Sequence, residues 1–330
     1  MTVAKHIINR HEKRNETGEI ILILFEYCDL DCVFCMQDHD SMVGVDTIVN
    51  KIEPLRKSVE QLLTKGKDNF QVHLMGGELF SDKLPDSIFD DYLILINSIR
   101  SLAEEKNVVL EISIATNYIF TKTERVKKFI QAADVIIMSS YDPAGRFNTE
   151  NFEIFKNNLQ EFKEYTRAVG IVMTKQNIDK FIKGNIPFFD YIYDNFVVFF
   201  DHYGPQKNQN ILSPKDVELR DFMIHMLDHW PRAKPFDEYR KKTKNPMVCM
   251  DTVTIMADGS WGGCGQAEGL VKFIPLKKVM EDQWFAEYNC LECKHFSRCA
   301  LGCFMSNHIK NMRTQETCYL SEVYDYIDKK

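Results

Sequence analysis

The chain has ten cysteines, yet none of them lies between residues 36 and 248. Three lie between residues 28 and 35, and the other seven lie between residues 249 and 318. In a cytoplasmic protein, grouped cysteines are metal ligands or reactive thiols more often than disulfides. The gap therefore predicts two metal-binding regions joined by a cysteine-free scaffold.

Long hydrophobic runs are also missing. No apolar stretch approaches the ~20 residues of a membrane span, and the N-terminus lacks the order of a signal peptide. We therefore expect a cytoplasmic protein without disulfides and without a membrane partner. The net charge of −7 excludes a generally basic surface, so nucleic acid is not an expected partner. Basic clusters at 5–14 and 240–244 leave a local contact open.

The scaffold is predicted from a regular alternation of patterns. Short apolar runs alternate with segments of helical spacing, which predicts a parallel α/β sheet with right-handed crossovers. Six such units are two fewer than a closed barrel has, so we expect a partial, open barrel. Its chemistry should lie where the strands end. Strands are predicted at 19–25, 70–75, 108–115, 134–140, 167–174 and 196–200, and helices at 45–65, 86–106, 121–133 and 149–165, the last capped by Thr149.

The first three cysteines directly follow the first predicted strand. Cys28, Cys32 and Cys35 have the spacing C-x3-C-x2-C. One loop of this kind can ligate three irons of a cubane and leave the fourth open. A zinc site that takes His39 as its fourth ligand is the alternative, because structural zinc sites are closed by four ligands.

The stretch "CDLDCVFC" resembles the signature of the radical S-adenosylmethionine (SAM) enzymes, with Phe34 at the aromatic position. The resemblance implies that Cys28, Cys32 and Cys35 hold a [4Fe-4S] cluster whose open iron binds SAM. It also implies that Phe34 packs near the adenine of SAM.

Further matches follow strands two to four. "MGGELF" resembles the GGE motif of this family, so Gly76, Gly77 and Glu78 are candidate SAM-binding residues. "ATNYIF" is similar to a TN(G) turn; it makes Asn117 a candidate, with Tyr118 in place of the glycine. By the same analogy, we expect the SAM ribose or carboxylate to be contacted by Ser139 and Ser140.

The seven remaining cysteines have the full spacing of a SPASM domain, C-x9-G-x4-C, C-x2-C-x5-C-x3-C and a final cysteine. The resemblance implies two auxiliary [4Fe-4S] clusters, three clusters in all. The distal cluster is assigned to Cys290, Cys293, Cys299 and Cys318, and the proximal cluster to Cys249, Cys264 and Cys303. Since the proximal set has only three thiolates, its fourth ligand is substrate or solvent, or else Asp251, His202 or a residue of 241–248.

The expected fold is thus α/β, a partial (β/α)6 radical SAM barrel followed by a SPASM domain that carries auxiliary iron–sulfur clusters. The predicted divisions are an N-terminal extension, the barrel, a bridge and the SPASM domain, at 1–18, 19–204, 205–248 and 249–330. With so few residues before the barrel, recognition of a leader peptide is expected to need another chain or another surface.

The resemblance implies an oxidoreductase that cleaves SAM to a 5′-deoxyadenosyl radical, abstracts hydrogen from an unactivated carbon and takes electrons from a reduced flavodoxin or ferredoxin. Oxidative modification of a ribosomally made peptide, as a cross-link or cyclisation, is the first expectation. The alternatives are tailoring of an amino-acid-like group on a nucleotide or DNA base, sulfatase-type protein maturation, and a non-enzymatic iron–sulfur electron carrier. Candidate acid–base residues at the end of strand six are Asp201, His202 and Tyr203.

Overall fold

The computed structural model describes residues 17–35, 37–203, 210–240, 252–262, 293–295, 298–299 and 318–330. All six predicted strands are present, and each of the first five is followed by helix. In chain order these elements are β1 (Thr17–Ile23), α1 (Ile52–Leu63), β2 (Asn69–Met75), α2 (Ile88–Lys106), β3 (Val109–Thr116), α3 (Thr123–Ala133), β4 (Ile136–Ser140), α4 (Thr149–Glu161), β5 (Thr166–Met173), α5 (Lys175–Ile182), α6 (Phe189–Asn195) and β6 (Val197–His202).

Two details differ from the sequence-based expectation. The cap of α4 is Asn148 and not Thr149, because the Asn148 side chain accepts a hydrogen bond of 2.8 Å from the Asn151 N–H. Strand β6 continues to His202, so Asp201 and His202 are strand residues and not loop residues. The second difference changes the direction of their side chains.

The sheet extends beyond the six predicted strands. Its order is β6-β5-β4-β3-β2-β1-β7-β8, where β7 (Thr252–Ile255) pairs in parallel with β1 and β8 (Trp261–Gly262) pairs antiparallel with β7. The sequence analysis did not predict these two strands. Strand β7 covers the edge of β1, which would otherwise present unpaired backbone groups. The region expected to form a separate domain therefore begins by continuing the sheet of the barrel.

Side chains alternate between the two faces of the sheet. Outer-face residues such as Leu22, Val72 and Ile114 have no exposed surface and belong to the hydrophobic core that includes the helices. The inner face is polar near β1 and β2: Thr252 donates to Glu19 at 2.6 Å, and Glu19 lies 3.3 Å from His73. Although burial opposes its ionisation, these contacts hold the pKa of Glu19 below its usual value.

Three further helices lie after the barrel in the described part of the chain: α7 (Asp216–His229), α8 (Phe236–Arg240) and α9 (Tyr319–Lys329). Helix α9 packs on α7, where Arg220 contacts Glu322 at 2.7 Å and the Tyr326 hydroxyl donates to Asp228 at 2.7 Å. The C-terminal segment is thereby attached to the barrel. None of the helices in the described ranges is long and apolar enough to cross a membrane.

Candidate functional site

The loop after β1 carries the three N-terminal cysteines, which are free thiols. The backbone N–H of Cys28 donates to the backbone carbonyl oxygen of His39 at 3.1 Å, and the N–H of Cys35 donates to the carbonyl oxygen of Cys32 at 2.9 Å. The loop therefore folds back on itself. Two N–H groups point at the Cys28 sulfur: Leu30 N at 3.4 Å and Asn117 Nδ2 at 3.7 Å. N–H donors of this kind stabilise a sulfur that carries negative charge.

The glycine pair after β2 packs directly against the segment that leads into this loop. Gly77 N–H donates to Phe25 O at 2.9 Å, and Glu78 N–H donates to Tyr27 O at 2.8 Å. A Cβ on Gly77 would lie 1.7 Å from Tyr27 O, and one on Gly76 would lie 2.7 Å from Phe25 O. Both positions require glycine because backbone meets backbone there.

The carboxylate of Glu78 is fully buried and joins the second strand end to the third. It accepts hydrogen bonds from Phe80 N at 2.9 Å, Thr116 Oγ1 at 2.7 Å and Asn117 N at 2.6 Å. Burial raises the pKa of Glu78 to about 7, against these three donors, which lower it. Glu78 therefore positions the turn at residues 116–118 beside Cys28.

Tyr118 adopts a left-handed conformation, with φ +60°, at the position where the resembling motif has glycine. Its ring is fully buried and its hydroxyl lies 2.6 Å from Thr166 Oγ1. Left-handed backbone costs a non-glycine residue about 1–2 kcal/mol. Here the buried ring and its hydrogen bonds hold the turn, and Asn117 Oδ1 accepts from Ile119 N at 2.7 Å.

The serine pair at the end of β4 divides between two roles. Ser139 is buried, and its hydroxyl donates to Thr116 O at 2.9 Å, so it connects β4 to the turn after β3. Ser140 is half-buried and, by strand alternation, faces the opposite side of the sheet. Of the two, Ser140 has the side chain available to a ligand inside the barrel.

Comparison with known proteins agrees with this geometry. A family model described as a 4Fe-4S single cluster domain matches residues 15–159. The solved structure of His6-tagged anSMEcpe with bound AdoMet superposes with a TM-score of 0.63 and 17% identity, covering 95% of this chain and 96% of that one. SuiB from Streptococcus suis, bound to S-adenosylmethionine, superposes with a TM-score of 0.52 and 17% identity, covering 95% and 78%. The chain therefore shares its fold with these two SAM-bound structures. No curated protein matches it.

Arg146 is a residue that the sequence analysis missed, although it lies in the loop after β4. Its guanidinium is 2.9 Å from Asp142 and 5.5 Å from the centre of the Phe34 ring. The Arg146 side chain is only 11% exposed and that of Asp142 is fully buried. A buried cation therefore faces the cysteine loop and acts electrostatically on Cys32 and Cys35. No local spacing pattern could have identified it, because β4, β5 and α5 all contribute to its surroundings.

The thiols have unequal electrostatic environments. Burial raises the pKa of Cys28 to about 12 and that of Cys32 to about 11. Burial also opposes ionisation of Cys35, but hydrogen bonds from His39 and the backbone of Gln37 hold its pKa below the usual value. Buried thiols remain protonated until a metal displaces the proton, and a coordinating thiol is then deprotonated. This donor set suits an iron–sulfur cluster.

Among the described residues, no three His, Cys, Asp or Glu side chains are arranged around a point that suits one metal ion. That observation counts against the single zinc ion considered with His39. It does not count against a cubane, in which each thiolate binds a different iron. His39 instead lies 3.1 Å from Asp31 and hydrogen-bonds Cys35, which raises the pKa of His39.

The three candidate acid–base residues do not share one face. Asp201 and His202 are consecutive in β6, so their side chains leave opposite faces of the sheet, and Tyr203 is buried. Asp201 of β6 lies beside Val172 of β5 in the sheet and faces the inside of the barrel. Burial and the charges of Asp142 and Glu19 raise the pKa of Asp201 to about 7.

Only part of the C-terminal cysteine set lies in the described ranges. Cys293, Cys299 and Cys318 form no disulfide with a described residue, and Cys299 and Cys318 pack against the core of the protein. His295, between the first two, is 3% exposed and lies 2.6 Å from Asp325 of α9. The predicted ligands Cys249, Cys264, Cys290 and Cys303, and the alternative ligand Asp251, lie outside the described residues.

Proposed function

We propose that this protein is a radical SAM enzyme that oxidatively modifies a ribosomally made peptide, by cross-linking or cyclisation. The observation that carries the proposal is the convergence of three strand ends on the cysteine loop. Gly77 and Glu78 are hydrogen-bonded in register to Phe25 and Tyr27, and Asn117 reaches Cys28. This is the edge where parallel α/β sheets bind their ligands.

When bound, the cluster and SAM supply reductive cleavage of SAM and hydrogen abstraction from the substrate, while the protein supplies binding and geometry. In this proposal Cys28, Cys32 and Cys35 hold the cluster. The backbone at Gly76 and Gly77 is free of side chains and accommodates close approach of the SAM amino group. Arg146 provides a buried cation for the SAM carboxylate.

The remaining site residues have positioning roles in the proposal. Glu78 holds Asn117 beside Cys28, and Ser139 fixes the same turn through Thr116. Ser140 faces inward as a ribose or carboxylate contact. Phe34, whose ring lies against the Arg146 guanidinium, packs near the adenine.

A peptide substrate is proposed from one comparison. SuiB bound to its precursor peptide SuiA superposes on this chain with a TM-score of 0.50 and 17% identity, covering 95% of this chain and 77% of that one. The two auxiliary clusters also remain a proposal. With seven cysteines for two cubanes, the proximal cluster of Cys249, Cys264 and Cys303 has one iron without a cysteine ligand.

The test uses the anaerobically reconstituted protein with SAM and dithionite. Replacing Cys28, Cys32 and Cys35 with alanine should abolish 5′-deoxyadenosine formation and leave about eight irons bound, because each auxiliary cubane contains about four irons. With the wild-type protein and a short precursor peptide encoded near its gene, mass spectrometry should detect a product lacking a pair of hydrogen atoms.

Two outcomes would contradict the proposal. Persistent SAM cleavage by the triple variant would remove the assignment of the first cluster. SAM cleavage by the wild type, without modification of any peptide encoded nearby, would remove the peptide substrate. A brown, iron-rich protein that never cleaves SAM would favour an electron carrier instead.

A further inference from the structure

The inside of the barrel contains more acidic than basic charge. Two of its carboxylates have partners: Asp142 contacts Arg146 at 2.9 Å, and Glu19 lies 3.3 Å from His73. Asp201 makes no hydrogen bond or ion pair with the residues that the structure describes, and its side chain is half-buried, so its carboxylate stays within reach of solvent or of a ligand. A partly desolvated carboxylate is stabilised by a cation or by hydrogen-bond donors.

The position of Asp201 places this unmatched charge inside the curled sheet. Strands β1 and β6 are five positions apart in the sheet order, a distance of about 24 Å in a flat sheet at ~4.8 Å per strand. The carboxylates of Glu19 and Asp201 nevertheless interact electrostatically. They do so across the interior, because the sheet brings its first and sixth strands to face one another.

Asp201 is also connected to the cysteine loop through neighbouring residues. It pairs with Val172, whose backbone N–H donates to Asp142 at 2.9 Å. Asp142 in turn binds Arg146, which stacks on Phe34 of the cysteine loop. A group bound at Asp201 would therefore be separated only by β5 from the loop after β4, which meets the proposed SAM site.

A second unsatisfied polar group lies on the inner face. Thr254 has no exposed surface, and its hydroxyl has no hydrogen-bond partner among the described residues. It is on the same face of β7 as Thr252, which binds Glu19. Because Thr254 has no exposed surface, its hydroxyl is closed to a ligand, whereas the carboxylate of Asp201 is partly exposed and can be reached.

We propose that the peptide substrate carries a basic side chain, an ammonium or guanidinium, which binds the carboxylate of Asp201 inside the barrel. The inference rests on the proposed peptide function and names the chemical class of residue that the barrel accepts. A cationic side chain would donate a charge-assisted hydrogen bond to Asp201, which no described residue of the protein does. An acidic residue at the same position of the peptide would place a second negative charge beside Asp201 and be disfavoured.

Two pentapeptides test the inference, Ala-Ala-Lys-Ala-Ala and its norleucine counterpart, which has the same chain length without the charge. Binding to the cluster-loaded protein with SAM is measured by isothermal titration calorimetry. We expect the lysine peptide to bind at least tenfold more tightly. Asp201→Asn, which keeps the shape of the side chain, should remove this preference and leave the affinity for the norleucine peptide unchanged.

Glu111→Gln is the matched control. Glu111 is also an inner-face carboxylate, but it already contacts Arg167 and accepts from Gln71 at 3.3 Å. This variant should keep the lysine preference within twofold of the wild type. Because the peptide pair tests the wild-type protein directly, the inference remains testable even when a variant does not fold.

Equal affinity of the wild type for the two peptides would overturn the inference, as would a lysine preference that Asp201→Asn retains. Either result leaves the proposed function in place if the protein still cleaves SAM and modifies a peptide. Conversely, a charge preference that depends on Asp201 in a protein without SAM cleavage would support the binding site and refute the proposed function.

Discussion

Replacing Gly77 with alanine should displace the cysteine loop without touching a cysteine. The new Cβ would lie 1.7 Å from Tyr27 O, 2.2 Å from Tyr27 C and 2.4 Å from Glu26 O. A carbon and an oxygen come no closer than about 3.3 Å without strain. These neighbours are backbone atoms, so no side chain can rotate away and the two segments must separate by roughly 1.5 Å.

The expected loss in the free energy of unfolding follows from the hydrogen bonds that this separation breaks. The hydrogen bonds from Gly77 N to Phe25 O and from Glu78 N to Tyr27 O are lost or stretched, at about 1 kcal/mol each. Overpacking adds about 1–3 kcal/mol. We expect the free energy of unfolding to fall by about 3–5 kcal/mol, a large part of a typical total of ~5–15 kcal/mol. Since Cys28 follows Tyr27 directly, cluster retention should fall as well.

Gly66→Ala is the matched control. Gly66 has φ +78° and no atom within 4 Å of its added Cβ, so the change introduces only backbone strain of about 1–2 kcal/mol. Anaerobic urea unfolding, iron content and 5′-deoxyadenosine yield are measured for both variants. Wild-type stability and full iron content in Gly77→Ala would refute the reasoning, as would equal losses in the two variants.

Two further predictions concern the turn beside Cys28. The pKa of Glu78 is raised from 4.5 to about 7 in the folded protein. Protonation of Glu78 therefore stabilises the fold fully below pH ~4.5, and this contribution of ~3 kcal/mol is lost as the pH rises to ~7. The free energy of unfolding of the wild type relative to Glu78→Gln should therefore fall over that window, and parallel pH profiles would contradict the assignment. Tyr118→Gly relieves left-handed strain of about 1–2 kcal/mol but removes a buried ring, worth about 3–5 kcal/mol. Urea unfolding should therefore show a net loss of about 1–4 kcal/mol, and a variant as stable as the wild type would show that the ring is dispensable.

Much of the fold was predictable because its signals are local. Each of the six predicted strands has a continuous or alternating apolar run, and each helix has its own spacing, so neighbouring residues were sufficient to identify them. Strand β7 also has a local signal, since Thr252–Ile255 are four β-branched residues in polar–apolar alternation, but the sequence analysis did not use it. What no local pattern could show is that this strand covers the edge of β1, more than two hundred residues earlier in the chain.

Some residues of the candidate site also have local sequence signals, whereas the roles of others depend on tertiary contacts. The spacing of Cys28, Cys32 and Cys35 within one loop predicted a cluster, and the resemblance of the segment after strand two to a GGE motif made Gly76 and Gly77 candidates; both signals are local in the sequence. The roles of Glu78 and Ser139 required contacts with Thr116, on another strand. Asp201 and His202 were expected to face one mouth, but β6 extends through both and turns their side chains apart.

The amino-acid sequence by itself determined the chemistry of the donor set, since three thiols in one loop and seven near the C-terminus depend only on spacing. Tertiary structure alone decided which charges are balanced. Arg146 reaches Asp142 and Phe34 because the loops after β1 and β4 meet. Asp201 lies on the inner face, where the residues that the structure describes supply it with no hydrogen-bond or ion-pair partner. Burial and charge balance depend on distances between side chains, and folding sets those distances irrespective of separation along the chain.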